Sequence, residues 1–236
     1  MSTEHSDSPN IKAVILDYGL VLASGPKPDE FGRMAQMFRV SFESFYQLWE
    51  KSRDLYDCGD LSAEEYWQNL AEKTGTSIDA GQIAFLRKVE VEIWSHMDPD
   101  MLDWVRQLHL AGIKTGILSN MPLDLAAHVR TNCPWMENFD FKTLSAEIRL
   151  IKPDPAIYEY TLRGLGVAAA EALFIDDREI NVRAARQLGI HAIQFNSVAQ
   201  LRKELEALRF STLPTTEESS EVNSAERTQE AIKFQL

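Results

Sequence analysis

The sequence predicts an α/β fold, built as a doubly wound parallel sheet with a helical insertion, and three observations favour it. Short apolar runs alternate with helix-like segments, as in proteins built from βαβ units. One long stretch after the first apolar run has helical spacing of its apolar residues and contains no strand-like run. Acidic or polar residues follow the ends of several runs, and open parallel sheets bind their ligands at that edge.

Four apolar runs are predicted as strands, because each is short and rich in β-branched or aliphatic residues, as buried parallel strands are. They are residues 11–17 (IKAVILD), 113–118 (IKTGIL), 172–175 (ALFI) and 190–195 (IHAIQF). Helices are predicted next to them at residues 101–111, 123–131, 156–165 and 180–188. The alternation of strands and helices predicts a Rossmann-like core.

The same patterns divide the chain into a core, an insertion and a tail. Residues 1–25 and 97–210 are predicted to form the core, and residues 26–96 the helical insertion, which is dense in aromatic residues. Ser62 and Glu65 form a capping-box pattern at the start of one helix of the insertion. Residues 211–236 are rich in Ser, Thr and Glu and are predicted to be disordered, because they have too little apolar surface to bury.

Charge and composition argue against several classes of partner. The formal net charge of -12 makes a nucleic-acid partner unexpected, because Lys and Arg supply most of that affinity. The two cysteines, Cys58 and Cys133, form no C-x-x-C motif, which favours reduced thiols. The first ten residues are polar and acidic, and no apolar run approaches the roughly 20 residues that span a bilayer. We therefore expect a cytoplasmic protein without a membrane partner; the sequence does not indicate its oligomeric state.

Polar and charged side chains follow the predicted strands at positions that meet at one edge of a parallel sheet. They are Asp17, Ser119, Asn120, Asp176 and Asp177, and Lys152 joins them from a segment that precedes a predicted helix. An aspartate can attack a phosphate dianion only if positive charge cancels the repulsion between them. Mg²⁺ on the hard oxygen atoms of Asp17 and Asp177, together with the ammonium of Lys152, would supply that charge. Ser119 and the backbone N–H groups around Asn120 would hold the phosphate oxygens.

These residues lie in four motifs that resemble, in the same order, those of the haloacid dehalogenase (HAD) superfamily. The motifs are an apolar run ending in D-x-G, one ending in S-N, a lysine before proline, and an apolar run ending in D-D followed by N-x-x-A-A. The resemblance covers residues 11–208. It implies that Asp17 is the nucleophile and a metal ligand, that Ser119 and Asn120 bind phosphate, that Lys152 balances charge and that Asp177 ligates the metal.

The resemblance also implies roles for residues outside this set. Asp176 and Asn181 match supporting residues of the fourth motif, and the backbone carbonyl of Gly19 matches a metal ligand. The insertion matches a helical cap of the C1 type, which closes over the site and selects the substrate. Arg53 and Tyr56 of this cap are candidates for substrate contact, with ion pairing and packing inside the cap as the alternative.

The first motif departs from the usual pattern, because most phosphatases of this family have a second aspartate where this chain has Gly19. The glycine keeps the carbonyl but has no carboxyl group to protonate the leaving alcohol or to activate water. General acid–base catalysis is typically worth about 10² to 10⁴-fold, so we expect its loss to slow turnover without abolishing it. A D-x-G motif also resembles a sub-group of cap-bearing sugar-phosphate phosphatases.

Three functions compete on this evidence. The favoured one is a Mg²⁺-dependent phosphohydrolase that acts on a small phosphorylated metabolite, with a sugar phosphate as one candidate, through an aspartyl-phosphate intermediate on Asp17. A 2-haloacid dehalogenase would use the same aspartate without metal, but such enzymes replace the metal-ligating acid, and Asp177 is present here. A non-catalytic, ligand-binding HAD-like protein is the third, and Gly19 and the acidic tail favour it.

Overall fold

A five-stranded parallel sheet forms the centre of the computed structural model, which describes residues 9–212 and 214. Every neighbouring pair of strands is parallel, so the predicted doubly wound α/β core is confirmed. The strand order β3-β2-β1-β4-β5 puts β1 in the middle of the sheet. The strands are β1 Ala13–Leu16, β2 Lys114–Ser119, β3 Phe141–Leu144, β4 Ala172–Asp176 and β5 His191–Gln194.

Five helices follow β1 in the insertion, before a sixth helix leads the chain back to the sheet. They are α1 Pro28–Met37, α2 Phe42–Lys51, α3 Arg53–Asp57, α4 Ala63–Thr74 and α5 Ala80–Ile93. Their apolar faces form a hydrophobic core of their own, in which Phe31, Phe38 and Trp67 are fully buried. The capping box is confirmed at α4, since Ser62 Oγ accepts a hydrogen bond from Glu65 N and the Glu65 carboxylate accepts one from Ser62 N. All five helices lie within residues 26–96, whose exact limits as a domain stay a prediction.

The ends of this insertion are paired with each other beside β1. Ala23 and Met97 form an antiparallel bridge. Ser24 N donates to His96 O at 2.7 Å, and Asp98 N donates to Leu22 O at 2.8 Å. The insertion therefore leaves and rejoins the core through two adjacent segments.

The remaining helices cover both faces of the sheet. They are α6 Pro99–Leu110, α7 Leu123–Asn132, α8 Ser145–Ile148, α9 Pro155–Leu165, α10 Glu179–Gln187 and α11 Val198–Ala207. Val14 and Leu16 of β1 pack in one hydrophobic core with residues of α6, α7 and α11. Ala13 and Ile15 point to the opposite face and pack with residues of α9 and α10. This alternation follows from the two-residue period of a strand.

The four predicted strands and the four predicted helices of the core all form, with ends shifted by a few residues. The sequence did not predict β3, α8 or α11. The strand β3 is only four residues long and contains Lys142, so its sequence lacks the apolar run that marks the other strands. Most of the tail predicted at residues 211–236 lies outside the described residues. Within the described part of the chain, no helix has both the length and the apolar character needed to cross a membrane.

Candidate active site

Asp17 lies at the centre of the site because it directly follows β1, the middle strand of the sheet. Its side chain is buried, and one carboxylate oxygen accepts a hydrogen bond from Tyr18 N at 2.6 Å. The same oxygen lies 2.8 Å from Lys152 Nζ. The candidate nucleophile is therefore held by a backbone donor and an ammonium group.

Lys152 is held from both ends. Its Nζ donates to Asp176 Oδ2 at 2.6 Å as well as contacting Asp17, so the ammonium bridges two strand ends. Its backbone is clamped by the amide of Asn120, which accepts from Lys152 N at 2.8 Å and donates to Lys152 O at 3.0 Å. Because the amide oxygen and one amide N–H are engaged with Lys152, the backbone N–H of Asn120 is the candidate for the phosphate contact.

Asp176 is fully buried and accepts several hydrogen bonds within the fourth motif and from Lys152. Besides Lys152 Nζ, its carboxylate accepts from Arg178 N at 2.8 Å and from Asn181 Nδ2 at 3.0 and 3.1 Å. These bonds tie the end of β4 to the start of α10. Asp176 thus orients Lys152 and the adjoining helix, and the neighbouring Asp177 extends the acidic group.

Three carboxylates could together hold a metal ion, and their charge favours one. Single oxygen atoms of Asp17, Asp176 and Asp177 lie within 4.8 Å of one another. Burial raises the pKa of Asp17 to about 6, against the attraction of Lys152. Burial, followed by repulsion from Asp17 and Asp176, raises the pKa of Asp177 to about 7. Burial disfavours the charge on Lys152, but its two acidic partners outweigh that effect and raise its pKa.

This donor set fits Mg²⁺, which prefers carboxylate and carbonyl oxygens. Three acids against one directly contacting ammonium leave an excess of negative charge, which adds to burial in raising the pKa of Asp177. A divalent cation would relieve that repulsion. The ligand roles of Asp17, Asp177 and the carbonyl of Gly19 stay predictions.

The turn after β2, residues 119–122, is shaped by contacts with other segments. Ser119 ends β2 and is buried, with its hydroxyl 3.5 Å from Asn120 O. Met121 N donates to Ser145 Oγ at 2.9 Å, so this N–H is already used. The helix α7 begins directly after Pro122. Ser119 Oγ and the Asn120 N–H are the groups of this turn that fit the predicted phosphate contact.

Gly19 faces an aromatic ring. A Cβ atom placed on Gly19 would lie 3.1 Å from the indole of Trp94, the residue directly after α5. The backbone of Trp94 is held by Tyr18, whose hydroxyl donates to Trp94 O at 2.6 Å. The space beside position 19 is therefore filled by the end of the insertion. This contact was not predictable from the sequence, because nothing in the spacing of Trp94 links it to the first motif.

Arg53 and Tyr56, the two cap candidates, lie inside the cap. Arg53 forms ion pairs with Asp57, at 2.6 Å, and with Glu90. Tyr56 donates to the Glu90 carboxylate at 3.2 Å, and its ring stacks on Tyr66 with 4.2 Å between centroids. The alternative interpretation, ion pairing and packing within the cap, describes these contacts. Contact of either residue with a substrate stays a prediction.

The fold and the site together define a class: a doubly wound α/β protein in which the middle strand ends in an aspartate, beside a lysine and two further aspartates. A family model for haloacid dehalogenase-like hydrolases matches residues 4–189. The chain belongs to this family.

Several known proteins are similar in sequence to parts of this chain. Mouse (Mus musculus) acyl-CoA dehydrogenase family member 10 is 26% identical over 223 residues, which are 86% of this chain and 20% of that protein. Rat (Rattus norvegicus) bifunctional epoxide hydrolase 2 is 30% identical over 118 residues, 48% of this chain and 21% of that protein. This chain therefore spans about a fifth of the length of either relative. A sesquiterpene phosphatase from Aspergillus oryzae is 29% identical over 164 residues, 69% of this chain and 79% of that protein.

Solved structures share the fold. A HAD family enzyme from Bacteroides thetaiotaomicron, in complex with magnesium and inorganic phosphate, superposes with a TM-score of 0.63 at 24% identity and covers 79% of this chain and 94% of its own. An L-2-haloacid dehalogenase from Xanthobacter autotrophicus superposes with a TM-score of 0.61 at 22% identity and covers 86% and 85%. Both phosphate-binding and halide-releasing proteins therefore share this architecture.

Proposed function

We propose that this chain is a Mg²⁺-dependent phosphohydrolase that acts on a small phosphorylated metabolite through an aspartyl-phosphate intermediate on Asp17. The observation that carries the proposal is the contact of Asp17 with Lys152 Nζ at 2.8 Å inside a cluster of three carboxylates. A nucleophile surrounded by acids suits a substrate that arrives with a cation, as a phosphate does. The phosphatase from Aspergillus and the magnesium and phosphate complex of the Bacteroides enzyme support it.

In the first step, a carboxylate oxygen of Asp17 attacks phosphorus, and the bond from phosphorus to the leaving oxygen breaks. Lys152 keeps the Asp17 carboxylate in place and offsets part of the charge that builds up. Mg²⁺, held by Asp17, Asp177 and the carbonyl of Gly19, would neutralise the phosphate oxygens. The leaving oxygen takes its electron pair and then a proton from water, because Gly19 offers none.

In the second step, water attacks the phosphorus of the intermediate, inorganic phosphate leaves, and Asp17 is restored with the proton passing to solvent. The absence of a carboxyl group at position 19 slows this step too. We expect the substrate to be a small metabolite held under the cap, and a sugar phosphate is one candidate.

A second candidate is ligand binding without turnover, and the packing of Trp94 against Gly19 favours it. The space in which a helper acid would act is filled by the indole, so this alternative is a protein that binds a phosphate ester without hydrolysing it. A metal-independent dehalogenase is less suited to the site, because three neighbouring carboxylates would then lack a balancing cation.

The test is hydrolysis of p-nitrophenyl phosphate, whose leaving group departs without prior protonation. We expect Mg²⁺-dependent hydrolysis that is lost on chelation with EDTA and lost in Asp17→Asn, because an amide is not a competent nucleophile. Asp29→Asn, which changes an exposed acid in the first turn of α1, is the matched control and should keep full activity.

Each alternative has its own outcome in this experiment. Full activity of Asp17→Asn, with the fold unchanged by circular dichroism, would exclude the mechanism. Halide release from 2-chloropropionate without metal would support the dehalogenase. Binding of inorganic phosphate in the presence of Mg²⁺, with no turnover of any phosphate ester, would support the non-catalytic protein.

A further inference from the structure

We infer that Ser145 is a positioning residue that couples docking of the cap to the geometry of the turn at residues 119–122. The inference rests on the proposed function, together with the predicted contact of Ser119 and Asn120 in this turn with the phosphate. Ser145 begins α8 and is fully buried. A buried hydroxyl must have its hydrogen bonds satisfied, so its partners are part of the fold.

The partners of Ser145 lie on two different parts of the molecule. Its Oγ accepts a hydrogen bond from Met121 N in the turn, at 2.9 Å. Its hydroxyl proton is donated to Asp57 O, at the end of α3 in the cap, at 2.5 Å. One side chain therefore joins the turn to the cap.

The hydroxyl also has an alternative acceptor. Met121 O lies 3.3 Å from Ser145 Oγ, within reach but farther than Asp57 O. Because a hydroxyl has a single proton, it serves one acceptor well at a time. With the cap docked, Asp57 O takes the proton; with the cap away, the hydroxyl turns to Met121 O and the turn loses its link to the cap.

The turn at residues 119–122 is connected to the nucleophile. Met121 follows Asn120, whose amide clamps the backbone of Lys152. Lys152 Nζ lies 2.8 Å from Asp17. A shift of the turn is thus passed through Asn120 and Lys152 to the group that attacks phosphorus.

The cap segment that meets α8 fits closely against it. Gly59 has a φ of 79°, and a Cβ atom on it would lie 2.7 Å from Ala146 O. No side chain fits there without moving the cap away from α8. The side chain of Asp57 is itself fixed by Arg53, at 2.6 Å. The carbonyl that Ser145 bonds is therefore presented in one position when the cap is docked.

Two substitutions disturb this link from opposite sides. Ser145→Ala removes the hydroxyl, and Gly59→Ala pushes the cap from α8 without touching the turn. We expect each to raise the dissociation constant of inorganic phosphate, measured calorimetrically with Mg²⁺ present, by about tenfold, since one buried hydrogen bond is lost. Each should also raise KM for p-nitrophenyl phosphate more than it lowers kcat.

The double variant carries the claim of coupling. Because both changes break the same connection, Gly59→Ala/Ser145→Ala should bind phosphate no more weakly than the weaker of the two single variants. Ser145→Cys, which keeps a weak donor and acceptor, should fall between Ser145→Ala and the unchanged protein. Thr161→Val is the matched control, since it removes another fully buried hydroxyl, one bonded to Thr143 and Ile157 O and to neither the turn nor the cap.

Several outcomes would overturn the inference. A Ser145→Ala protein that melts earlier but binds phosphate as Thr161→Val does would make Ser145 merely structural. Losses of affinity that multiply in the double variant would show two independent effects. If Ser145→Ala fails to fold, unchanged phosphate affinity in both Ser145→Cys and Gly59→Ala would overturn it equally. If the protein without substitutions neither binds nor hydrolyses phosphate, the proposed function is wrong, and so is the coupling that rests on it.

Discussion

At the scale of single residues, Gly19 and Trp94 belong together. The indole ring occupies the space that a side chain at position 19 would need, and the hydrogen bond from Tyr18 to Trp94 O limits how far the ring can retreat. A contact of 3.1 Å to a new Cβ atom forces one of the two to move. The indole of Trp94 therefore occupies the space of the missing side chain, and a single substitution at position 19 would disturb this packing.

This pairing predicts how a helper acid can be restored. Gly19→Asp alone should lower stability with little gain in rate, because the indole obstructs the new side chain. Gly19→Asp/Trp94→Ala should hydrolyse an alkyl phosphate at least about tenfold faster than the matched Gly19→Asn/Trp94→Ala, given that a general acid is worth about 10² to 10⁴-fold. The measurement is kcat for both variants. Equal rates would mean that a carboxyl group at position 19 does not reach the leaving oxygen.

The residues of the site were largely predictable, and their partners were not. Asp17, Asp176 and Asp177 follow strand ends, and parallel topology alone brings such positions together. The clamp of Asn120 on Lys152 and the ring of Trp94 beside Gly19 depend on how loops and the insertion pack. Those contacts join residues far apart in sequence, so spacing carries no signal of them.

At the scale of elements, an ion pair joins the cap to the core. Arg87 of α5 holds Asp124 of α7 through two hydrogen bonds, at 2.5 and 2.8 Å, and also contacts Glu64 of α4 at 2.9 Å. Asp124 lies in the first turn of α7, where an acid also interacts favourably with the helix dipole. Both side chains are partly exposed, so solvent weakens the pair.

We expect this pair to contribute modestly to stability and more visibly to cap docking. A double-mutant cycle with Arg87→Ala and Asp124→Ala in urea should give a coupling free energy of about 0.5–1 kcal/mol. Both variants should also be cut faster in the cap by limited proteolysis. Arg106→Ala, which breaks an exposed ion pair within α6, is the control and should leave cleavage of the cap unchanged. Equal cleavage of all variants would show that the pair does not hold the cap.

The elements that sequence reasoning missed share a physical cause. The strand β3 lies at an edge of the sheet, with Lys142 in a four-residue segment, and is stabilised by pairing with β2 more than by its own composition. The helix α8 is a single turn that follows it. The strands β1 and β4 were predictable because every residue of each is buried, and burial on both faces demands a mainly apolar run.

At the scale of the whole molecule, the sheet gathers like charges at one point. The strand order places β1 between β2 and β4, so the acids that follow β1 and β4 must be neighbours. The net charge of -12 gives no compensation at longer range. The folded protein therefore holds repulsion at this edge that an unfolded chain does not.

A bound cation should relieve that repulsion and stabilise the fold. With Mg²⁺ about 100-fold above its dissociation constant, mass action gives about 2.7 kcal/mol, which raises the melting temperature by roughly 5 to 10 °C. Asp177→Asn should lose most of this shift, and Asp103→Asn, which changes an acid on the surface of α6, should keep it. Differential scanning fluorimetry with and without EDTA measures both. An equal shift in the two variants would place the cation elsewhere.

The pairing of Ala23 with Met97 has a consequence for how this architecture diversifies. Because the two ends of the insertion are hydrogen-bonded neighbours, the sheet is complete without the segment between them, and a short turn could join residue 24 to residue 96. Lengthening such an excursion costs little closure entropy, which grows only slowly with length. The cap can therefore be exchanged, shortened or rebuilt as a module while the strand order of the core that carries Asp17 stays the same. The segment expected to select the substrate and the strand that carries Asp17 are thus separate stretches of the same polypeptide.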